Sequence, residues 1–277
     1  MQTELTPKRI VFFFTGTGNS LYIARELCES GYEPISIAQA IHSEINIYQA
    51  DEIGLVFPTY GQVTPGIVQD FLAKVQLKAK YLFAIITYGN RCSNTADLYH
   101  KLAQSLHHDF DYVTTLLMVD NYLPAFDMNE QRVIDKHIPE QLQRIKNDLE
   151  YYTQRIDSFT DEDVAWHNKL MQLMGLEGIQ KPFVVDAEKQ FEITETCNGC
   201  GICQQVCPKN NYRVLNNRSQ CHGLCESCYA CIQNCPQKAI TLKPQPDFPF
   251  PPEVNPQARY RNPNVSLADI IKANRQS

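Results

Sequence analysis

Two copies of one cysteine pattern restrict what this chain can fold into more than anything else in it. Residues 197–208 read Cys-x2-Cys-x2-Cys-x3-Cys-Pro (Cys197, Cys200, Cys203, Cys207, Pro208), and residues 225–236 repeat the run as Cys225, Cys228, Cys231, Cys235 and Pro236. Three thiolates at successive three-residue steps can point inward from one tight loop and cover three iron corners of a [4Fe-4S] cube, while the fourth reaches the other cube. Crossed ligation is the general rule for duplicated runs of this kind. It predicts one cluster on Cys197, Cys200, Cys203 and Cys235 and a second on Cys225, Cys228, Cys231 and Cys207. Zinc is the plainer alternative, but structural zinc sites use two separated Cys-x-x-Cys knuckles with four thiolates per ion. Nine of the eleven cysteines fall between Cys197 and Cys235, which speaks for metal and against the spread-out framework of a secreted disulfide domain. Cys221 lies outside both frames and reads as a free, partly buried thiol, and Cys28 as part of an apolar helical face.

The first two-thirds of the chain has a different pattern. Ile10–Phe14, Ile35–Ala38, Glu52–Phe57, Tyr81–Thr87 and Val113–Val119 are short apolar runs that read as strands. Between them, amphipathic stretches (Leu21, Ala24, Leu27 and Cys28; residues 67–75; residues 95–106) read as helices. Strands that are apolar throughout and alternate with helices predict a doubly wound α/β unit, a parallel sheet covered on both faces. Residues 129–159 predict one long helix or a pair broken before Pro139, and residues 163–174 another. Gly175, Gly178 and Pro182 punctuate a linker, so the domain boundary is placed near residue 185. After the cysteine-rich block, seven of the sixteen prolines lie between Pro244 and Pro263. They predict an extended tail, wrapped over the protein by Phe248, Phe250 and Tyr260, with a flexible linker as the alternative.

Composition narrows the partners. With 277 residues, a formal net charge of −6 and a pI near 5.7, the chain lacks the basic surplus that nucleic acid or anionic lipid requires. Its longest early apolar run, Ile10–Phe14, is too short for a membrane span or a signal-peptide core. The expectation is a cytoplasmic protein with no membrane and no nucleic-acid partner, in an oxygen-poor cell whose reducing interior suits exposed iron–sulfur cubes.

The strand Ile10–Phe14 runs into Thr15-Gly16-Thr17-Gly18-Asn19-Ser20 and then a helix. Glycines permit a tight turn in which backbone N–H groups and hydroxyls converge with a helix N-terminus on one anion. There is no lysine for a nucleoside triphosphate and no Gly-x-Gly-x-x-Gly for a dinucleotide, so a single phosphomonoester fits best. An ordinary glycine-rich turn is the bland alternative. Three further strands end in Phe57-Pro58-Thr59-Tyr60-Gly61, Thr87-Tyr88-Gly89-Asn90 and Asp120-Asn121-Tyr122, which bring tyrosines to the rim where a flat ring could stack.

On these residues, from about 8 to 160, the chain resembles the flavodoxin-like domain, whose ligand is FMN. The resemblance implies phosphate contacts from Thr15, Thr17, Gly18, Asn19 and Ser20 and ring contacts from Thr59, Tyr60, Tyr88, Gly89 and Asn90. It departs at Asn90-Arg91-Cys92-Ser93, where a further glycine is expected, and the lone Trp166 lies outside the loops and reads as helix packing. Residues 191–242 resemble a bacterial two-cluster ferredoxin, with Phe191-Glu192-Ile193 and Ala239-Ile240-Thr241-Leu242 pairing its ends as a hairpin. The whole order resembles the flavodoxin-ferredoxin fusion family of anaerobes: an FMN domain over residues 1–185, a small α+β dicluster ferredoxin domain over 186–243, and an extended Pro-rich tail over 244–277. Membership implies electron transfer between FMN, two [4Fe-4S] clusters and external redox proteins, without a dedicated catalytic side chain. A flavin-dependent reductase of a quinone, nitro compound, disulfide or oxygen, with Arg91 or Cys92 lining an open pocket, is the alternative. A third reading makes the clusters structural or sensory and predicts no flavin.

Overall fold

The computed structural model describes residues 8–173, 184–245 and 250–275. Gly175, Gly178, Pro182 and Phe248, singled out above, lie outside the described residues. In chain order the first part contains β1 (Arg9–Phe13), α1 (Asn19–Cys28), β2 (Glu33–Ser36), α2 (Ile37–Ala40), β3 (Ile47–Gln49), β4 (Glu52–Pro58), α3 (Gly66–Lys74) and β5 (Gln76–Lys78). It continues with β6 (Tyr81–Tyr88), α4 (Thr95–Ser105), β7 (Tyr112–Leu117), α5 (Met128–Gln131), α6 (Ile138–Glu150), β8 (Arg155–Ile156) and α7 (Asp161–Leu173).

Six of these strands form one sheet in the order β2-β1-β4-β6-β7-β8, and every pairing is parallel. The fold is a flavodoxin-like doubly wound α/β sheet, with the strand order turning back between β1 and β4, where such sheets bind ligands. The central strands are apolar because both faces are covered. On them pack Leu21, Ile23, Ala24 and Leu27 of α1, Ile67, Val68, Phe71 and Leu72 of α3, and Leu142, Ile145 and Leu149 of α6.

Several boundaries depart from the periodicity. Ile37 and Ala38 belong to α2, since the strand of β2 ends at Ser36. The stretch 129–159 breaks twice: α5 and α6 are separate, and Tyr152 adopts a left-handed φ of 51° that turns the chain back so that Ile156 becomes part of an edge strand on β7. The small parallel pair β3 and β5 is an addition that short runs such as Ile47–Gln49 did not signal.

The second part contains β9 (Val185–Asp186), α8 (Ala187–Gln190), β10 (Phe191–Ile193), α9 (Ile202–Val206), β11 (Tyr212–Leu215), β12 (Arg218–Cys221), β13 (Leu224–Cys225), α10 (Ala230–Gln233), β14 (Ile240–Leu242) and α11 (Leu267–Asn274). β10 and β14 pair antiparallel, Phe191 opposite Leu242 and Ile193 opposite Ile240, as the ferredoxin resemblance implies. Between the two cysteine runs, β11 and β12 form a hairpin closed by Asn216 and Asn217 at φ 50° and 56°. Two consecutive left-handed residues make the turn type whose twist suits a tight hairpin, and asparagine tolerates it.

The tail wraps over the protein, but it is not extended throughout. Val254 N donates to Leu123 O (3.0 Å), and Arg259 Nη1 pairs with Glu253 Oε2 at 2.8 Å with side chains 8% and 2% exposed. Past Asn264 the chain turns into α11, started by a capping box in which Ser266 and Asp269 exchange hydrogen bonds. Proline stops at Pro263, so nothing opposes helix there. Among the described residues no helix is long and apolar enough to cross a membrane.

Candidate functional site

The cysteines gather in two groups of four drawn from both runs. Cys197, Cys200, Cys203 and Cys235 line one cavity, together with Ser219, Pro236 and Ile240. Cys207, Cys225, Cys228 and Cys231 are electrostatic neighbours of one another. The local reason lies in the helices: α9 and α10 are each one turn long and start at a left-handed residue, Gly201 and Tyr229. Each turn carries the third cysteine of its run inward and delivers the fourth toward the other group. Among the described residues no three His, Cys, Asp or Glu side chains converge closely enough to hold a single metal ion.

The groups differ in exposure. Cys200 is exposed and only Cys203 of its group is buried, whereas Cys225, Cys228 and Cys231 are all buried and Cys207 is half-buried. Burial pushes the Cys203 thiol up to about 11, with Cys235 and Cys200 adding to it, and the Cys225 thiol up to about 12, with Cys207 adding to it. Such thiols stay protonated unless a metal displaces the proton. Donors already point at the sulfurs. Ser219 Oγ lies 3.0 Å from Cys203 Sγ, and Ser219 N and Ala239 N donate to Cys197 and Cys235. Tyr212 OH donates to Cys231 Sγ (3.2 Å) and Asn211 N to Cys207 Sγ (3.3 Å). Hydrogen bonds of this kind tune a cluster's potential. Ser219 and Tyr212 escape a reading of the sequence; their one signal is the alternation of residues 212–221 about Asn216-Asn217, hidden between the more conspicuous cysteines.

The loop Thr15–Ser20 follows β1 at the carboxyl edge of the sheet and is buried along its whole length. Gly18 has φ 100°, a backbone that other residues avoid, and its N–H donates to Thr15 Oγ1 (3.0 Å). Thr17 Oγ1 accepts from Asn121 Nδ2 (2.6 Å), Ser20 Oγ shares a proton with Thr87 Oγ1 (2.9 Å), and Asn19 Nδ2 donates to Val119 O (3.1 Å). Thr15 and Thr17 therefore accept from the protein and keep their own O–H protons for an anion. Gly16 makes no hydrogen bond among the described residues, which leaves a buried N–H at the N-terminal end of α1 in want of an acceptor. This donor set fits a phosphate.

The residues expected to border a ring meet the same edge unevenly. Thr59 N donates to Thr87 O (3.0 Å), which ties the two rim loops together. Tyr60 lies edge-on to Phe14 with centroids 6.5 Å apart. Its hydroxyl is held far above the ordinary tyrosine value by burial, then by Cys228, Glu226 and Cys225. It therefore faces the buried cysteine group. Burial, then the neighbouring Cys92, pushes Tyr88 up to about 12. Gly89 O accepts from Lys136 Nζ (3.1 Å), and Asn90 is exposed. Outside them, Arg91 pairs with Glu162 (3.0 Å) and lies over the Trp166 ring at 5.1 Å, while His167 Nδ1 meets Gln62 Oε1 at 2.8 Å. Helix α7 thus covers the rim. Trp166 itself is 40% exposed and engages a loop cation, not a helix core.

The cysteine-rich part sits directly on the loop Thr15–Ser20. A Cβ on Gly16 would fall 2.2 Å from the Cys228 carbonyl oxygen, so only glycine allows the two backbones to touch. Tyr122, in the loop after β7, stacks on Tyr229 with centroids 6.2 Å apart and planes 9° from parallel.

Comparisons with known proteins match parts of the chain. Residues 192–213 match the 4Fe-4S binding domain family (Fer4), a stretch that holds the first cysteine run. A crystal structure of a proposed flavoprotein from Bacteroides eggerthii DSM 20697 aligns over 51% of this chain and 99% of its own at 18% identity, with a TM-score of 0.33. Another, from Bacteroides uniformis ATCC 8492, aligns over 40% of this chain and 92% of its own at 14% identity, with a TM-score of 0.31. No curated protein matches the chain.

Proposed function

We propose that this chain is an electron-transfer iron–sulfur flavoprotein of the flavodoxin-ferredoxin fusion type. Residues 1–185 form its FMN-binding domain, residues 186–243 its 2[4Fe-4S] ferredoxin domain and residues 244–277 its tail. An outer cluster is held by Cys197, Cys200, Cys203 and Cys235, and an inner one by Cys207, Cys225, Cys228 and Cys231. FMN would supply exchange of one or two electrons where each cluster exchanges one, which suits a converter between paired and single-electron partners. Thr15, Thr17, Gly18, Asn19 and Ser20 hold its phosphate through hydroxyl and free backbone N–H protons, Gly18 by shaping the turn at φ 100°, and Thr59, Tyr60, Tyr88, Gly89 and Asn90 border its ring. The observation that carries the reading is the contact of Gly16 with the Cys228 backbone, because it sets the inner cysteines against the anion loop. The exposed Cys200 gives the outer cluster a route to a redox protein in the cytoplasm. Tethering of Arg91 to Glu162 and Trp166 supports a carrier over a small-molecule reductase, since it takes away one of the two residues, Arg91 or Cys92, expected to line an open pocket.

Anaerobic purification with FMN, iron and sulfide assays tests the reading. Equimolar FMN and two four-iron clusters are expected, with both reduced together by a low-potential ferredoxin in stopped flow. Cluster-loaded protein that takes up no flavin overturns it.

A further inference from the structure

One carboxamide joins the two parts of the molecule. Asn274, at the end of α11 and 1% exposed, donates from Nδ2 to both Thr15 O (3.1 Å) and Val206 O (3.0 Å). Thr15 opens the phosphate loop; Val206 closes α9, one residue before Cys207. Each carbonyl takes one of the two amide protons. The rest of the tail secures this bridge from the sheet side. Arg25 pairs with Asp269, Ser36 Oγ donates to Ala273 O, and Gln39 Nε2 donates to Lys272 O (2.6 Å). Further along the loop, Asn262 N donates to Thr17 O (2.9 Å), while Tyr260 OH and Asn262 Nδ2 both donate to Asn19 Oδ1. All of these tail contacts to the loop reach carbonyl or side-chain oxygens, so the tail braces the loop without engaging any of its N–H groups.

We propose that Asn274 is a positioning residue of the electron path. It fixes the phosphate loop against the helix that leads into Cys207, so that the tail, and not the two folded parts alone, sets the spacing between flavin and inner cluster. This rests on the electron-transfer reading above. The physical requirement is a donor that serves two buried carbonyls at once, since either left unpaired carries a desolvation penalty.

Asn274→Leu keeps the side-chain volume and removes both protons, and Asn274→Ser keeps one donor. The full-length, cluster-loaded proteins are compared by amide hydrogen exchange, FMN titration and the rate of electron exchange between FMN and clusters after flash photoreduction. Faster exchange is expected at the amides of Thr15–Ser20 and Gln205–Cys207, together with unchanged iron content. FMN should bind about tenfold more weakly in Asn274→Leu, with Asn274→Ser between it and the parent, as befits one buried hydrogen bond or more. Electron exchange should slow in the same order. If both variants match the parent in amide protection, flavin affinity and electron exchange, the bridge is incidental and the proposal falls. If the parent itself binds no FMN, the functional reading fails. Amide protection then decides the bridge alone: unchanged protection in both variants overturns it, and parallel loss at both segments supports it.

Discussion

The two cysteine groups share a sequence pattern yet occupy opposite environments. The outer group, ending in Cys235, leaves Cys200 exposed; the inner group buries Cys225, Cys228 and Cys231 between the sheet and the tail. On the proposed reading, identical spacing encodes ligation, while position in the assembly encodes role. A buried group beside the anion loop can exchange charge only inward and with its twin, and an exposed one can meet a partner. Removing a ligand from each should separate these roles more sharply than any other change. Cys228→Ser is expected to lose the inner cluster and abolish charge exchange between FMN and the remaining iron. Cys200→Ser should degrade only the outer cluster and leave FMN in place. Iron assays and flavin spectra check both, and loss of FMN from Cys200→Ser would contradict the division.

The next largest effect concerns what holds the tail over both groups. Glu253 and Arg259 form an ion pair with side chains 2% and 8% exposed, and Glu253 Oε1 also accepts from Leu242 N (3.0 Å) on β14, behind the outer group. Breaking a buried pair from one side costs about 3–5 kcal/mol because the other charge is stranded. Arg259→Met should lower unfolding stability by about that much and speed iron release from the outer group first. Urea titration with chelator-trapped iron measures both.

How much of this could be read from the residues depends on how far apart the partners lie in the chain. Cysteine spacing, the loop Thr15–Ser20 and the parallel strands are local patterns, and the six-stranded parallel sheet follows from the last of them, with β2 ending at Ser36. The pairing of Phe191 with Leu242 was implied by the resemblance to a two-cluster ferredoxin, not by any local pattern. By contrast, Asn274 reaches Thr15 across 259 positions, and one polar side chain near a terminus has no periodicity to announce it. Helix α11 did carry a local signal, Ser266-Leu267-Ala268-Asp269 followed by Ile270 and Ile271, but the prolines before it are the stronger pattern and point to an extended chain. Helix α7 was legible as a helix; its place over Arg91 and Gln62 was not, because an ion pair and a side-chain hydrogen bond leave no hydrophobic trace.

Gly16→Ala probes the seam between the sheet and the inner group. Its methyl would sit 2.2 Å from the Cys228 carbonyl oxygen, a backbone atom that cannot swing aside. Overpacking of this kind costs about 1–3 kcal/mol. Weaker FMN retention and slower inner-cluster exchange are expected with full iron content. The same residue tested at the outer group, for example Gln237→Ala in the lining of its cavity, should leave both unchanged. Equal behaviour of the two variants would mean that the inner group has no special relation to the loop.

The smallest expected effect lies on the surface, where Arg25 meets Asp269 at 2.5 Å and moors α11 to α1. The Arg25 hydrogen bond, followed by that from Ser266, holds the Asp269 carboxyl well below the ordinary carboxylate range. A depressed folded value stabilises the protein above the unfolded value, about 3.9, and the benefit is lost as pH falls through the folded one. With side chains 39% and 27% exposed, solvent screening reduces the pair to about 0.5–1 kcal/mol. Arg25→Gln should therefore melt about 1–2 °C below the parent. That gap should stay flat from about pH 8 to pH 5 and begin to close only near pH 4, where unfolded carboxylates start to bind protons. A gap that closed between about pH 7 and pH 6 would point to a histidine instead, whose ordinary value lies there, and would remove Asp269 as the mooring of the tail. If the gap is flat but Arg25→Gln also weakens FMN, the mooring acts through Asn274 on the loop; if it leaves FMN untouched, the hydrogen bonds of Ser36 and Gln39 suffice to seat α11.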